Sequence, residues 1–444
     1  MSDMVLRGVT LPDGQRTDLV VCGTKLADEA AAGARVIDVD GLIALPGLVD
    51  PHCHLREPGS SAETIASGTA AAARGGYTAV AAMPNTTPAC NGPTEARWLR
   101  RRAKDAAARV IPIGAVTHDR AGQHLADLGG LGAAGVRLFS DDGAVVATAD
   151  LLRQAMLAIA PFHGTIADHC QDPTLAASQA WRPDCPEAPT VHRGIEPLCN
   201  TTQLIPDADQ ELWPAKAETT IVERDIQAAA DTGQPVHLCH LSCAESVDMV
   251  RWAKRRHIAV TAEATPHHLY LTSDKLAGGD ATFKVNPPLR TAQDVEALRA
   301  GLADGTIDMI GTDHAPHLKS DKAKPLPLAS PGMTGFEQAL AVVIDVMVNT
   351  GRMAWADVAR IMSTNPSRLL QVTTQGRPLR PGEPANLVLI DPTRRAIVRL
   401  ENTASLARNN PYVGQYLPDP VVMTMWAGRV TYFDACASAA VRAF

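Results

Sequence analysis

No apolar run long enough to cross a bilayer, about 18 residues, occurs in the 444-residue chain, which argues against a helical membrane span. The opening MSDMVLRGVT lacks the basic region and apolar run of a secretory leader, so a cytoplasmic location is expected. CxxC pairs are absent too. The nine cysteines, at 22, 53, 90, 170, 185, 199, 239, 243 and 436, are odd in number and scattered. They read as reduced thiols, most of them packing residues. A basic excess is missing: the net charge of −7 argues against a nucleic-acid or membrane-surface partner and leaves a small-molecule substrate. Internal repeats and low-complexity tracts are likewise lacking. What is present is ordinary globular composition, 45% hydrophobic and 20% charged, enough for a sizeable core. The length suits two or three domains, or a barrel with an appended module.

The first 46 residues carry short alternating runs (Met4–Arg7, Asp18–Cys22, Arg35–Val39) broken by turn formers such as Pro12-Asp13-Gly14, the pattern of a small β module. From Gly47 apolar runs alternate with Ala-rich helical stretches such as Ala62–Arg74 and Gln293–Ala303, as in parallel βα units. The runs are Gly47–Asp50, Thr78–Met83, Val110–Val116, Gly135–Phe139, Gly164–Ala167, Pro235–Cys239, Ile258–Ala262 and Ile307–Gly311. Eight of them predict an α/β fold, a (β/α)8 TIM-like barrel over residues 47–372, because an open sheet would leave two edges to protect. After residue 372 strand-like runs return (Ala385–Ile390, Val421–Tyr432). Residues 373–444 are therefore expected to join residues 1–46 in one small composite β domain. The segment Gln171–Pro214 has little periodicity and reads as a functional lid or excursion.

In a strand, residues i and i+2 point the same way, so His52 and His54 of GLVDPHCHLREPG would present both imidazoles to one side. Other polar candidates also fall at the ends of runs. Ser140-Asp141-Asp142-Gly143 closes the fourth, Asp168-His169-Cys170 the fifth, His237-Leu-Cys-His240 the sixth and Thr312-Asp313-His314 the eighth. Barrel enzymes place their chemistry at these C-terminal strand ends. Four imidazoles and two carboxylates there suit Zn²⁺ or a similar divalent ion, with two ions favoured. Taken singly each member has a bland reading: Asp-Asp-Gly is a turn former, His237 and His240 are core histidines, and Asp313 caps the following segment. Taken as a set at strand ends, the metal reading prevails. Histidines 118, 124, 163, 192 and 257 fall outside the pattern, and His267-His268 are expected to line the mouth without binding metal.

Together GLVDPHCHLREPG, MPNTTP at 83–88, FSDDG at 139–143, NPPLR at 286–290 and GTDHAPH at 311–317 resemble the motifs of dihydroorotases in the amidohydrolase superfamily, in order over residues 40–370. The resemblance implies that His52, His54 and Asp313 hold one metal and that His169 and His240 hold the other, with an acidic residue between them. Many relatives bridge with a carbamylated lysine, but this chain has no lysine between Lys104 and Lys216. An aspartate must serve instead. Motif alignment favours Asp142, and the residues alone leave Asp141 open. The resemblance further places Arg56, Asn85 and His317 on the substrate's carboxylate, Asn286 on the ring, and Pro331-Gly332 in a substrate-contacting loop where relatives tend to carry Phe-Gly.

The implied reaction is reversible hydrolysis of (S)-dihydroorotate to N-carbamoyl-L-aspartate, the third step of de novo pyrimidine synthesis, with Asp313 as general acid/base. The implied cofactor is one or two zinc ions per subunit. A homo-oligomer is expected, and the resemblance leaves room for association with an aspartate carbamoyltransferase. Two competing readings are another cyclic amidohydrolase (hydantoinase, dihydropyrimidinase or allantoinase) and a catalytically silent partner of that carbamoyltransferase. The missing lysine and the Arg56 clamp count against the first, and the complete ligand set against the second.

Overall fold

The computed structural model describes residues 3–179 and 213–435. Most of the segment expected to form a lid, 171–214, lies outside them. Five short strands open the chain: β1 (Met4–Thr10), β2 (Arg16–Cys22), β3 (Lys25–Ala27), β4 (Arg35–Asp38) and β5 (Ile43–Pro46). Alternation in β1 buries Met4 and Leu6 on one face and exposes Arg7, the period-two pattern of a sheet with one wet side, before the register shifts between Leu6 and Val9.

Gly47 then turns the chain directly into β6 (Leu48–Cys53). A Cβ on Gly47 would sit 2.4 Å from the Thr78 side chain, so only glycine fits this junction. Next come β7 (Tyr77–Ala82), β8 (Arg109–Pro112), β9 (Leu138–Phe139), β10 (Thr165–Asp168), β11 (Val236–Leu238), β12 (Val260–Ala264) and β13 (Met309–Ile310). Each expected run overlaps one of these strands. Strands β6 and β7 are buried at every residue, which is why they read as continuous apolar runs rather than alternating ones.

All neighbours among these eight pair in parallel, β6-β7-β8 as one sheet and β9 to β13 as another. Isolated parallel bridges join Gly114 to Phe139 and Cys53 to His314, one at each edge of the two sheets. Helices fill the connections. Ile65–Arg74 starts at a capping box between Thr64 and Ser67, and Ala292–Asp304 at one between Thr291 and Asp294.

The tail adds β14 (Leu387–Ile390), the small pair β15 (Arg395–Ile397) and β16 (Tyr416–Pro418), and the hairpin of β17 (Val421–Trp426) and β18 (Arg429–Phe433). Ala427 and Gly428 between the hairpin strands both have positive φ, 50° and 74°, as a two-residue hairpin loop requires. Strand β14 pairs antiparallel with β5, Val388 opposite Leu45. The result is one sheet in the order β18-β17-β14-β5-β1-β2-β3, with β4 on β1. Its core draws Leu6, Val9 and Ile37 from one end of the chain and Leu387, Leu389 and Met423 from the other.

Candidate metal centre

Residues from five strand ends converge on a single carboxylate. His52 and His54, at the end of β6, bring Nε2 atoms to 3.5 Å from Asp142 Oδ1 and 3.4 Å from Asp142 Oδ2. His169 Nδ1, just past β10, and His240 Nε2, just past β11, approach the same Oδ1 at 3.4 and 3.6 Å. Asp313, beyond β13, sets its Oδ1 2.9 Å from His54 Nε2 and 3.6 Å from His52 Nε2. All six side chains are buried. His240 and Asp313 adopt left-handed backbone angles (φ 34° and 42°), unusual for these residues and a strain of the kind that gathers at functional sites.

Asp141 and Asp142 separate cleanly. Asp141 turns away and is spent on the loop after β8, accepting from the Val116 and Thr117 amides at 3.0 Å and from Thr117 Oγ1 at 2.5 Å. Asp142 alone faces the imidazoles. Burial opposes its ionisation, but the charge of His52 and the surrounding imidazoles of His169 and His240 outweigh it and hold the carboxyl well below the usual range.

The donors fit a pair of divalent ions. Two groups of three, His52–His54–Asp142 and Asp142–His169–His240, each have donor atoms within 4.8 Å of one another, and they share Asp142. Buried His52 Nε2 and Asp142 Oδ1 have no hydrogen-bond partner, the state expected of atoms shaped to bind an ion. Burial disfavours a charged His52, yet Glu263 and Asp142 raise its pKa well above the ordinary value. An environment that holds a proton there also favours a metal cation. Asp313 joins neither group of three and reaches the cluster through the His52–His54 pair.

Glu263, on β12, is the residue that sequence reasoning missed. Its Oε1 accepts from His52 Nδ1 at 2.6 Å and from the His240 amide at 3.3 Å, while Oε2 lies 3.2 Å from His237 Nε2. A carboxylate behind an imidazole fixes its tautomer and turns the other nitrogen's lone pair inward. Burial opposes ionisation of Glu263, but His52's charge and the bonds from His237 and His52 hold it well below its usual value. The available signal was a lone acid within Val260–Ala264, a stretch otherwise apolar but for Thr261. His237 bonds Thr261 Oγ1 at 2.9 Å behind the cluster, as its core reading had it.

The expected substrate contacts gather on one flank. Asn85 Oδ1 accepts from His54 Nδ1 at 3.0 Å, leaving its amide nitrogen free to donate. Arg56, at φ 61°, donates from Nε to the Pro316 carbonyl at 3.0 Å and places Nη2 3.4 Å from His317 Nε2. His317 Nε2 donates to the Pro331 carbonyl at 2.7 Å, and a Cβ on Gly332 (φ 140°) would come within 2.7 Å of that same nitrogen. Burial, then the charge of Arg56, push the His317 pKa down to about 3, so it is a neutral imidazole. Across the cluster Asn286 Nδ2 donates to Gln171 Oε1 at 2.7 Å and lies 3.2 Å from His169 Nε2, while Asn286 Oδ1 is buried without a partner. His267 and His268 are buried in the wall of the site, His268 bonding Thr265 and the Pro287 carbonyl.

With this geometry in hand, comparison with known proteins is direct. A family model described as Dihydro-orotase-like matches residues 41–208. A curated dihydroorotase of Leifsonia xyli is 44% identical over 444 residues, covering 98% of this chain and 97% of its own length. Those of Streptomyces coelicolor (44%, 98% of this chain and 99% of that protein) and Mycobacterium tuberculosis (42%, 97% and 98%) are similar over the same span. Among solved structures, an L-hydantoinase (dihydropyrimidinase) from Arthrobacter aurescens superposes with a TM-score of 0.82 at 22% identity, covering 97% of this chain and 96% of that one. A dihydropyrimidinase from Brevibacillus agri gives 0.81 at 21%, covering 96% and 94%. At such identities the structural likeness speaks to the fold, and the near-full-length sequence likeness to the family. The chain belongs to the dihydroorotase family of metal-dependent cyclic amidohydrolases.

Proposed function

We propose that the protein opens (S)-dihydroorotate to N-carbamoyl-L-aspartate and closes it again, the third step of de novo pyrimidine synthesis. The observation that carries this reading is a flank of donors, Arg56 and Asn85 with His317 against Arg56, built against a cluster of four imidazoles around Asp142. In the opening direction water adds to the ring carbonyl carbon, the ring C–N bond breaks, and the leaving nitrogen takes a proton. His52, His54 and Asp313 would hold one ion and His169 and His240 the other, with Asp142 as the acidic ligand common to both groups. The donor set points to zinc, two ions per subunit. A divalent ion bound there supplies Lewis acidity, bringing the pKa of water from 15.7 to about 7.

Asp313 accepts the water's proton and passes it to the leaving nitrogen. It is suited to the task because it is ionised: burial opposes this, but the hydrogen bond from His54 and the neighbouring imidazole charges prevail. Arg56 and Asn85 donate to the substrate's carboxylate with His317 packed beside Arg56, Asn286 meets the ring, and the Pro331-Gly332 loop closes the flank. A clamp left without its carboxylate is costly, so neutral rings are rejected.

In this reading the eight parallel strands form one closed (β/α)8 barrel over residues 47–372, supported by the bridges Gly114–Phe139 and Cys53–His314. Residues 1–46 and 373–444 form the composite β domain. The protein works in the cytoplasm as a homo-oligomer, with an aspartate carbamoyltransferase as a candidate partner. A substrate panel with metal analysis tests the function: zinc-loaded protein should turn over dihydroorotate and leave hydantoin and dihydrouracil nearly untouched. Asp313→Asn should cut kcat by about 10²- to 10⁴-fold, the usual worth of positioned acid–base catalysis. Preference for a neutral ring would overturn the reading.

A further inference from the structure

We propose that Arg120 is a substrate-binding residue, a second guanidinium that takes an oxygen of the substrate's carboxylate beside Asn85. The proposal deepens the functional reading above and rests on it.

Arg120 lies in the loop after β8, and that loop is built to aim it. Asp141 fastens the loop's base through the Val116 and Thr117 amides and the Thr117 hydroxyl. Thr117 Oγ1 in turn accepts from the Gly122 amide at 2.9 Å. Asp119 and Arg120 are successive non-glycine residues with positive φ, 53° and 55°. A reciprocal pair of bonds holds them there: the Asp119 amide donates to Asn91 Oδ1 at 2.8 Å, and Asn91 Nδ2 donates to Asp119 Oδ1 at 2.7 Å. Such strain persists only where surrounding contacts over-determine it.

The guanidinium is then delivered to the metal cluster. Its Nη1 donates to the Asp142 carbonyl at 2.8 Å, while its Nε is buried without any partner. A Cβ built on Gly143 would lie 3.6 Å from Arg120 Nη1 and 3.7 Å from Asn85 Nδ2. The two donors therefore flank one small space, which glycine at 143 keeps clear. Asn85 has spent its oxygen on His54, so its amide nitrogen faces that space as a donor. Neither Arg120 nor Arg56 forms an ion pair with a carboxylate among the described residues: Arg56 donates to the Pro316 carbonyl and Arg120 to the Asp142 carbonyl. A guanidinium whose buried Nε has no partner and an amide donor around one space call for an anion. In a reaction whose substrate carries a ring carboxylate, that group is the anion that fits.

The test uses Arg120→Ala, Arg120→Gln and Arg120→Lys in the full-length, metal-loaded protein, with kcat, KM and bound metal measured for each. KM for dihydroorotate should rise about 10- to 100-fold in the Ala and Gln forms, the loss of a charged hydrogen bond made in the ground state. kcat should stay within a few-fold, bound metal should match the parent protein, and Lys should recover part of the loss. Inhibition by dihydrouracil, the same ring without the carboxylate, should not change. An unaltered KM overturns the proposal. So does a joint fall of kcat and metal content, which would assign Arg120 to holding Asp142 through its carbonyl. If the parent protein ignores dihydroorotate, the functional reading fails first and takes this proposal with it.

Discussion

At the scale of single residues, most of the side chains that the structure brings together around Asp142 are legible in the sequence. His52 and His54 were legible because strand alternation puts i and i+2 on one face, and Asp142, His169, His240 and Asp313 because each follows an apolar run. Glu263 and Arg120 were not legible, for different reasons. Glu263 sits inside a buried strand, where a single acid carries no pattern; its meaning comes from His52 and His237, which are remote in sequence. Arg120 lies in a loop whose backbone angles aim it, and left-handed angles at Asp119 and Arg120 have no glycine to announce them. The position of Glu263 leads to a test at this scale. Glu263→Gln keeps the volume and an acceptor for His52 Nδ1 but removes the charge that makes Nε2 a strong donor. Metal affinity should fall about 10- to 100-fold, as for other carboxylates that orient a ligating histidine. Chelator competition measures it, and an unchanged affinity would show that Glu263 only fills space.

Elements were legible where burial was symmetrical. Runs buried on both faces announce parallel strands, and all eight were found that way, yet β9 and β13 shrink to two residues each. The parallel βα repeat also gave the neighbours, each strand beside the next in sequence, but not the break between β8 and β9, which depends on contacts between distant segments. The packing of Pro325–Gly332, the stretch ending in the Pro331-Gly332 loop, was not legible either. Two lysines fasten it: Lys322 Nζ donates to the Ser330 carbonyl at 2.8 Å and the Lys284 carbonyl at 3.1 Å, and Lys284 Nζ donates to Pro327 at 3.0 Å. Burial, and then the charge of Lys284, lower the Lys322 pKa from 10.5 to about 7. Burial lowers that of Lys284 to about 8. Between pH 7 and 10.5 the unfolded Lys322 amine keeps a proton that the folded one has released. The unfolded state then binds more protons, so stability rises with pH across that window and the destabilisation is complete below it. Thermal unfolding followed from pH 6.5 to 9.5 should show this rise, and Lys322→Met should reduce it, leaving the share that Lys284 adds above pH 8. A slope undiminished by the substitution would rule Lys322 out as a source.

At the scale of the whole molecule, the two ends of the chain meet in one sheet, and two parallel sheets meet at one carboxylate. The first was legible because strand-like runs return after residue 372. The second was not, since no local pattern says that β6 belongs to one sheet and β9, β10, β11 and β13 to another. The centre therefore spans the seam between the sheets: His52 and His54 come from the three-stranded sheet, while Asp142, His169, His240 and Asp313 follow strands of the five-stranded one. Among the described residues, isolated bridges and hydrogen bonds, such as His54 N to the His314 carbonyl at 2.9 Å and Thr312 N to Asp50 Oδ1 at 2.9 Å, also tie those edges. An ion held by both sides acts as a cross-link, and by mass action it stabilises the native chain by about 2.7 kcal/mol when free metal is 100 times its dissociation constant. Chelation should thus lower the unfolding midpoint, and restored zinc should recover it. Asp142→Ala, which removes the shared ligand, should start from the lower midpoint and respond little to either treatment. A parent protein whose unfolding ignores the chelator, once metal analysis shows the ions are gone, would mean that the seam is held by the strands alone.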